Sequence, residues 1–410
     1  MALLPASKSS LWLEALGIGW ERGVWAHRWM GGAMLVTMVL HALAFWVRWQ
    51  EMGIFPRELV YPSYFPLEPH TQLDLKKPNG HNMTVYMMQI LGYSSVVLMG
   101  LFPLLRRKNY ELFKYFHYTF LVLIPASAFL HAHNGWYFPV GGVAFWLVDA
   151  GLRLVSGATP RKLLDATAFA AEGGITRLTF ELPVHETCSY VWINVPQISL
   201  LEWHPFSVSS SPLDSSTTVH VKNMGSNQFT GKLHSLASKG QGAEPAFTLS
   251  VDGPYGGKCG LEGHGAVLLL AGGIGITPVH ATLRYLAQLA GLGRTPPGLQ
   301  LVRLVFVARS SALVDIFRDS ICEALQCESG PKFSAWLYMT GELEEVPNFG
   351  SRSERGRPDF GQVYDDVVQE LGGACSVLVK FCGPPAMDRS ALEAARTRTQ
   401  LFYESEGFEL

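Results

Sequence analysis

Residues 24–49 read VWAHRWMGGAMLVTMVLHALAFWVRW. Between Arg28 and Arg48 no side chain carries a charge. The run is long enough to cross a bilayer as a helix, which takes about 20 apolar residues. Two histidines lie in it, His27 and His41, fourteen positions apart. At about 100° per residue that spacing is within about 40° of whole turns, so both imidazoles face one side. The rise between them is about 21 Å, which sets one near one membrane face and the other well towards the opposite face.

The pattern recurs at 115–133, YFHYTFLVLIPASAFLHAH, where His117 and His131 are again fourteen apart in an uncharged run. Two helices with the same spacing can place their imidazoles opposite each other at two levels. A histidine pair across a gap suits the two axial positions of a haem iron. Two levels then make two stacked b-type haems, His27 with His117 and His41 with His131. The competing reading is four satisfied core histidines. Ionisable groups inside a membrane are rare and usually functional, and the matched spacing favours ligands. His133 lies about 160° from the face of His117 and is read as a non-ligand.

The chain has 410 residues, enough for two or three domains. It is 48% hydrophobic and 16% charged, with the apolar residues concentrated before residue 155. A net charge of −2 argues against nucleic acid as a partner. The six cysteines (Cys188, Cys259, Cys322, Cys327, Cys375, Cys382) lack zinc-type spacing and are expected to be reduced cytosolic thiols. The opening MALLPASKSSLWLEALGIGW has no basic head followed by an apolar core, so no cleavable leader is expected.

Four helices are expected before residue 155: 24–48, 83–105, 113–133 and 136–154. Arg106, Arg107, Lys108 and Lys114 link the second and third, and Arg153, Arg161 and Lys162 follow the fourth. By the positive-inside rule these basic stretches are cytosolic. The N-terminus and the C-terminal half then lie inside. His27 and His117 form the inner pair, and His41 and His131 the outer one. The 49–80 loop is outside and ends at the sequon Asn82-Met83-Thr84, expected unmodified so close to the membrane.

From about 157 the period changes. ITRLTFELP, YVWINVP, TTVHVKNM and AFTLSVDGP are β-branched or aromatic runs broken by turns, which predicts a small antiparallel barrel over 157–258. Strands AVLLLAGG, LVRLVFVARS and SVLVKFCGPP alternate with helices, which predicts a parallel α/β sheet over 264–410. GELEEVPNFGSRSERGRPDFG, 341–361, reads as an exposed loop.

In AVLLLAGGIGITPVHATLRYL the strand ends at Gly272, Gly273 and Gly275. Thr277 suits an N-cap and Pro278 the first helical position. Such a turn lets backbone approach a diphosphate at a helix N-terminus, although tight turns need no ligand. Its place on the first strand of a parallel sheet is where nucleotides bind. Arg309 ends the second strand, either as a contact for a 2′-phosphate, favouring NADPH, or as a solvated arginine. Cys382, Gly383, Pro384 and Pro385 end another strand and can border a nicotinamide; little weight falls on a reactive Cys382. His204-Pro205-Phe206-Ser207-Val208-Ser209-Ser210 joins a fixed backbone, an aromatic and several hydroxyls, able to grip a planar ring and a polyol. Lys222, Gly225, Thr230 and Gly231 can meet phosphates.

These pieces, in this order, resemble the ferric reductase and NADPH oxidase superfamily. The matching motifs are the paired histidines, HPFSVSS, VDGPYGG, AGGIGITP, VKFCGPP and the terminal YESEGF, and the likeness covers about residues 20 to 410. It implies a multi-domain chain: a transmembrane α-helical haem domain (1–155), an antiparallel β-barrel FAD-binding domain and an α/β NADP-binding domain like that of ferredoxin-NADP reductase. It implies electron flow from NADPH through FAD and two haems to an outside acceptor. By likeness, His204 to Ser207 cradle the flavin, Gly272 to Pro278, with Ile276 between them, hold the NADPH diphosphate, and Phe408 lies by the flavin ring.

The likeness also implies one or more helices before the first His-bearing helix, yet Met1 precedes His27 by only 26 residues, and the chain ends Phe-Glu-Leu. The expected activity is a fungal-type ferric or cupric chelate reductase in the plasma membrane, with a metal permease as a possible partner. Equal His spacing on both helices and GPYG favour it over the runner-up, a superoxide-forming oxidase. A truncated paralogue that holds no haem, and a flavin reductase with a plain anchor, are the remaining alternatives.

Overall fold

The computed structural model describes residues 16, 20–51, 110–131, 137–156, 162–199, 202–239, 246–256, 259–341, 347, 351–372 and 375–406. The expected 83–105 helix, most of the 49–80 loop, the sequon at Asn82, the Arg106–Lys108 cluster, His133 and Phe408 lie outside these. The chain divides into two units, 1–159 and 160–410.

The first unit contains α1 (Trp20–Glu51), α2 (Tyr110–His131) and α3 (Tyr137–Ser156). Each overlaps its expected span, with ends displaced by up to four residues. Within α1, Gly23–Arg48 is 26 residues long and apolar enough to cross a membrane. Trp25, Trp29, Val36, Leu40, Leu43, Phe45 and Val47 point outward from it. That arrangement is costly in water and favourable in lipid. Its polar hydroxyl is satisfied locally: Thr37 donates to the carbonyls of Ala33 and Met34, as Thr119 does to Tyr115 in α2.

The second unit opens with β1 (Lys162–Ala171), β2 (Ile175–Phe180), β3 (Tyr190–Asn194), β4 (His204–Ser207) and β5 (Thr217–Lys222), then α4 (Phe229–Ser238) and β6 (Ala246–Tyr255). The six strands pair antiparallel in the order β4-β3-β6-β1-β2-β5. The edge strands meet through a Val208–Val219 bridge and the Ser209 N–H to Thr218 carbonyl bond, closing the sheet towards a barrel. Its core is aliphatic, with Leu178, Val191, Ile193, Val219, Leu233 and Leu249 buried. Lys162, read as a flanking charge after the fourth helix, is the first residue of β1.

After the barrel come β7 (Ala266–Gly272), α5 (Ile276–Gly291), β8 (Leu301–Ala308), α6 (Ser311–Leu325), β9 (Lys332–Met339), β10 (Arg352–Arg355), α7 (Phe360–Glu370), β11 (Val377–Cys382), α8 (Pro385–Ala395) and β12 (Leu401–Ser405). All strand pairs are parallel, in the order β10-β9-β8-β7-β11-β12. Every residue of β7 is buried, as befits a strand covered on both faces. The segment 341–361, expected to be loop, is corrected: it contributes β10 to the sheet edge and reaches Asp359, which caps α7 by accepting from the Gln362 N–H. The four residues of β10, RSER, carry no apolar signal because pairing along one edge alone holds them.

The chain runs β7 to β10 in one direction and then returns to β11 on the other flank of β7. Between β7 and β11 the strand order reverses. In open parallel sheets the crevice beyond the strand ends at such a point is where nucleotides bind.

Candidate functional site

The imidazoles of His27 on α1 and His117 on α2 stand with ring centroids 5.8 Å apart and planes at 85°. A metal–imidazole bond of about 2 Å, with about 1 Å from nitrogen to ring centre, taken twice, spans about 6 Å. The ring separation is thus of the order that one iron shared by the two imidazoles would set. Phe113, one turn before His117, stacks on it at 5.2 Å and limits its rotation. His41 lies on the same helix as His27, with its ring 4.9 Å from Phe45. His131 closes α2, and its side chain lies outside the described set.

The flavin candidates are gathered by β4 and α4. Pairing with β3 fixes His204 opposite Ile193 and Pro205 opposite Trp192. The His204 ring stacks on Phe229, the first residue of α4, at 4.2 Å, and Phe206 lies 6.4 Å from the same ring. Gln228 precedes α4 without a side-chain cap, so the first-turn N–H groups suit an anion such as a diphosphate. Gly231 is required there: a Cβ would come within 2.0 Å of the Gly225 carbonyl oxygen. Thr230 accepts from the Met224 N–H and holds the loop against the helix. Lys222 is exposed at the end of β5, beside this loop.

Two residues of the segment turn inward. Val208 is barrel core. The Ser209 hydroxyl donates to the Thr218 carbonyl and lies 2.7 Å from His220 Nδ1. Its own carbonyl lies 2.7 Å from His280 Nδ1 on α5, whose Nε2 is 2.7 Å from Ser320 Oγ on α6. Arg284 adds an ion pair to Asp214, its Nε donating to both carboxylate oxygens at 2.9 Å. This network stitches the barrel to the parallel sheet. Burial above all holds the His280 pKa down to about 4 and that of His220 to about 3, so both are neutral near pH 7.

At the β7–β11 crevice the glycines divide by role. A Cβ on Gly272 would meet Pro384 Cδ at 2.6 Å, and one on Gly275 the Cys382 carbonyl oxygen at 2.4 Å. These two let the two turns pack against each other. Gly273 differs: its φ is +57° and a Cβ there would meet nothing within 4 Å. Gly273 thus leaves one side of the turn open. The expected N-cap is corrected. A 3₁₀ turn, Gly273–Gly275, precedes α5, and Gly275 is the cap residue. Thr277 sits inside the first turn, where its hydroxyl donates to the Ile274 carbonyl, because the 3₁₀ turn moves the helix start back. Ile276 is buried core, and Pro278 borders a narrow crevice with Lys380, Phe381, Cys382 and Glu406. Burial drives the Cys382 thiol pKa well up, which opposes a thiolate role.

Arg309 follows β8 and lines a cavity of about 400 Å³ with Met339, Thr340, Gly341, Arg355, Gly356 and Arg357. Thr340 bonds the Ala308 carbonyl from both its N–H and its hydroxyl, and Gly341 allows backbone within van der Waals reach of Arg309. Among the described residues three arginines and no acidic residue line this space, which suits a phosphate monoester on a nucleoside. Sequence reasoning missed Arg355 and Arg357. The charged run was visible, but only the parallel pairing of β10 with β9 brings it to Arg309.

Residues 1–128 match a family described as ferric reductase like transmembrane component, 175–259 an FAD-binding domain, and 264–355 the ferric reductase NAD binding domain. The chain is 25% identical over 390 residues to a superoxide-generating NADPH oxidase heavy chain of Dictyostelium discoideum, covering 85% of this chain and 73% of that protein. It is 26% identical over 289 residues to probable ferric reduction oxidase 1 of Arabidopsis thaliana, covering 69% and 38%. It is 29% identical over 299 residues to ferric reduction oxidase 7, chloroplastic, of the same plant, covering 68% and 37%. The chain thus spans less than two fifths of these plant relatives.

Proposed function

The chain belongs to the ferric reductase and NADPH oxidase superfamily, and from that premise we propose that it carries electrons from NADPH across a membrane to a ferric or cupric chelate on the far side. Its cofactors are FAD, NADPH and haem. When bound, the flavin converts a two-electron donor into single electrons, and the haems relay them.

The chain's own residues supply position. His27 and His117 would hold one haem and His41 and His131 a second, and the haems would supply one-electron relay chemistry between them. The first turn of α4, with Lys222, faces the flavin diphosphate, and His204 to Ser207 fix the ring. Gly273 and the start of α5 receive the nicotinamide nucleotide diphosphate. Arg309, Arg355 and Arg357 take the 2′-phosphate and select NADPH. The nucleotide-binding unit is cytosolic, and the membrane is the plasma membrane.

The observation that carries this reading is the 5.8 Å imidazole pair between two apolar helices. The test is an absorption spectrum of the full chain in membranes before and after NADPH, with ferric citrate or oxygen as acceptor. Low-spin haem bands that NADPH reduces and ferric citrate reoxidises support it. Superoxide without metal reduction favours the oxidase reading, which has its own support: the relative matching 85% of this chain is named for superoxide. Absence of low-spin bands rejects both.

A further inference from the structure

Outside the electron path, two cysteines far apart in the chain meet. Cys188, in the loop before β3, and Cys259, after β6, have sulfurs 3.1 Å apart. Neither is fully buried. Cys188 has φ +60°, and among the described residues it is the one non-glycine residue in that left-handed region. Such a backbone is unfavourable for an L-residue. The conformation is imposed by surroundings and sets the thiol beside its partner: a Cβ on Gly256 would lie 2.8 Å from the Cys188 carbonyl oxygen, so the two segments press together there.

The setting is electrostatic as well as geometric. Lys380, on β11, is buried, and its ammonium pairs with Glu404 on β12. Burial works against that charge, but the two nearby thiols and Glu404 raise the Lys380 pKa nonetheless. Cys188 donates its S–H towards Cys259, which stabilises a thiolate there. That bond, with Lys380 assisting against desolvation, brings the Cys259 pKa down to about 6. The same bond, with burial and the charge of Glu406, holds Cys188 protonated. One thiolate beside one thiol, under a cation, is the arrangement of a reactive dithiol.

We propose that Cys188 and Cys259 form a peroxide-oxidisable dithiol whose disulfide slows flavin reduction by NADPH. The Cys259 thiolate attacks hydrogen peroxide, which breaks the O–O bond and gives a sulfenic acid and hydroxide; hydroxide takes a proton to leave as water. The Cys188 sulfur then attacks the sulfenic sulfur, a second water leaves, and the S–S bond closes. Peroxide is the two-electron oxidant and the two thiols together are oxidised by two electrons. The sulfurs need approach by only about 1 Å to reach bonding distance. The brake follows from place. Cys188 lies 3.7 Å from Thr282 on α5, the helix that opens at the NADPH turn, and lines the crevice with Pro278, Lys380 and Cys382. Oxidation deletes the thiolate facing Lys380 and fastens the β3 loop to the segment after β6.

This goes beyond the electron-transfer reading and stands or falls by thiol chemistry, independently of haem or acceptor. The full chain in membranes is exposed to hydrogen peroxide until two thiols per molecule are lost, then digested and mapped. The expected result is one linked peptide pair holding Cys188 and Cys259, two hydrogens lighter, restored by dithiothreitol. With C188S, and separately with C188A, the expected result is a dimedone-trapped sulfenic acid at Cys259. Alkylation of Cys259 should reach half its plateau rate below pH 7, and K380Q should move that midpoint up. Stopped-flow flavin reduction by NADPH should slow several-fold with the disulfide and recover with dithiothreitol, and C259S should be insensitive to peroxide. Loss of other thiols first, separate over-oxidation of the two, an alkylation midpoint no lower than that of glutathione, or a disulfide that leaves the NADPH rate unchanged would each overturn the proposal.

Discussion

Set α1 beside β7. β7 is an unbroken apolar run of 7 residues, and the 32-residue α1 holds an uncharged run between Arg28 and Arg48. In β7 every side chain is buried among its neighbours. In α1 tryptophans, leucines and valines point outward, and His27 meets His117 of α2. The two segments are solvated oppositely. Where protein surrounds an apolar run, burial explains itself, and information about function moves to the strand ends, where glycines and arginines collect. Where lipid surrounds it, the apolar residues carry little specific information and a single imidazole carries most of it. Substitutions should therefore act differently in the two places. In the helices they should remove a cofactor and leave the fold. At the sheet they should alter affinity or stability by measured steps.

The sharpest way to break that contrast is His117→Ala. The expected outcome is loss of one low-spin haem from the spectrum and a fall of NADPH-driven metal reduction to background. Flavin reduction by NADPH in the same protein should persist, because the nucleotide-binding unit has its own cores. His133→Ala should leave the spectrum intact. If H117A also destroyed flavin reduction, the histidine would be supporting the fold rather than the iron.

At the strand ends the effect should be graded. Arg309→Ala removes one of three cations from the 400 Å³ cavity. Hydrogen bonds to charged groups are worth about 1.5–3 kcal/mol, so KM for NADPH should rise about 10- to 150-fold, with NADH scarcely affected. Arg357→Ala should act in the same direction. Steady-state kinetics with both nucleotides decides it, and equal losses for NADPH and NADH would remove the 2′-phosphate from the assignment.

A third measurement sharpens the contrast through pH. His280 and His220 are buried neutral, with pKa values of about 4 and about 3 in the folded unit. The unfolded chain takes a proton on each near pH 6.5. Above that pH neither state binds the extra proton, so the stability is fully present. Below it the unfolded state binds more, and stability falls until the folded pKa is reached. At about 1.4 kcal/mol per pH unit, each should cost about 2 kcal/mol by pH 5. Thermal release of flavin at pH 7 and pH 5 would show it, and H280Q should remove about half the difference. No change in that difference would place the acid sensitivity elsewhere.

How far the sequence could carry this divides along the same line. The fourteen-residue histidine spacing is periodic along one helix, so it was legible, and the His27–His117 pairing required only that two such helices meet. The strands ITRLTF, YVWIN and TTVHVK show β-branched alternation and are found as β2, β3 and β5. KLLDATAFAA carries four alanines and gave no strand signal; pairing with β2 and β6 makes it β1. The meeting of Arg309 with Arg355 and Arg357, and that of Cys188 with Cys259, join segments 46 or more positions apart. No local pattern encodes such a meeting, since it is created by strand order.

The smallest effects should separate two glycines of one turn. Gly275→Ala places a methyl 2.4 Å from the Cys382 carbonyl oxygen. Backbone cannot swing away as a side chain can, so β7 and β11 must part, and overpacking of this kind costs roughly 2 kcal/mol. Gly273→Ala meets nothing within 4 Å and pays only for its left-handed φ, about 1 kcal/mol. Its methyl would instead stand where the diphosphate approaches. Gly275→Ala should therefore lower the midpoint of flavin release more than Gly273→Ala does, while Gly273→Ala should raise KM for NADPH and NADH alike, since both carry the diphosphate. If Gly273→Ala left both KM values unchanged, the open side of the turn would face no nucleotide, and Gly273 would be needed for its left-handed φ alone.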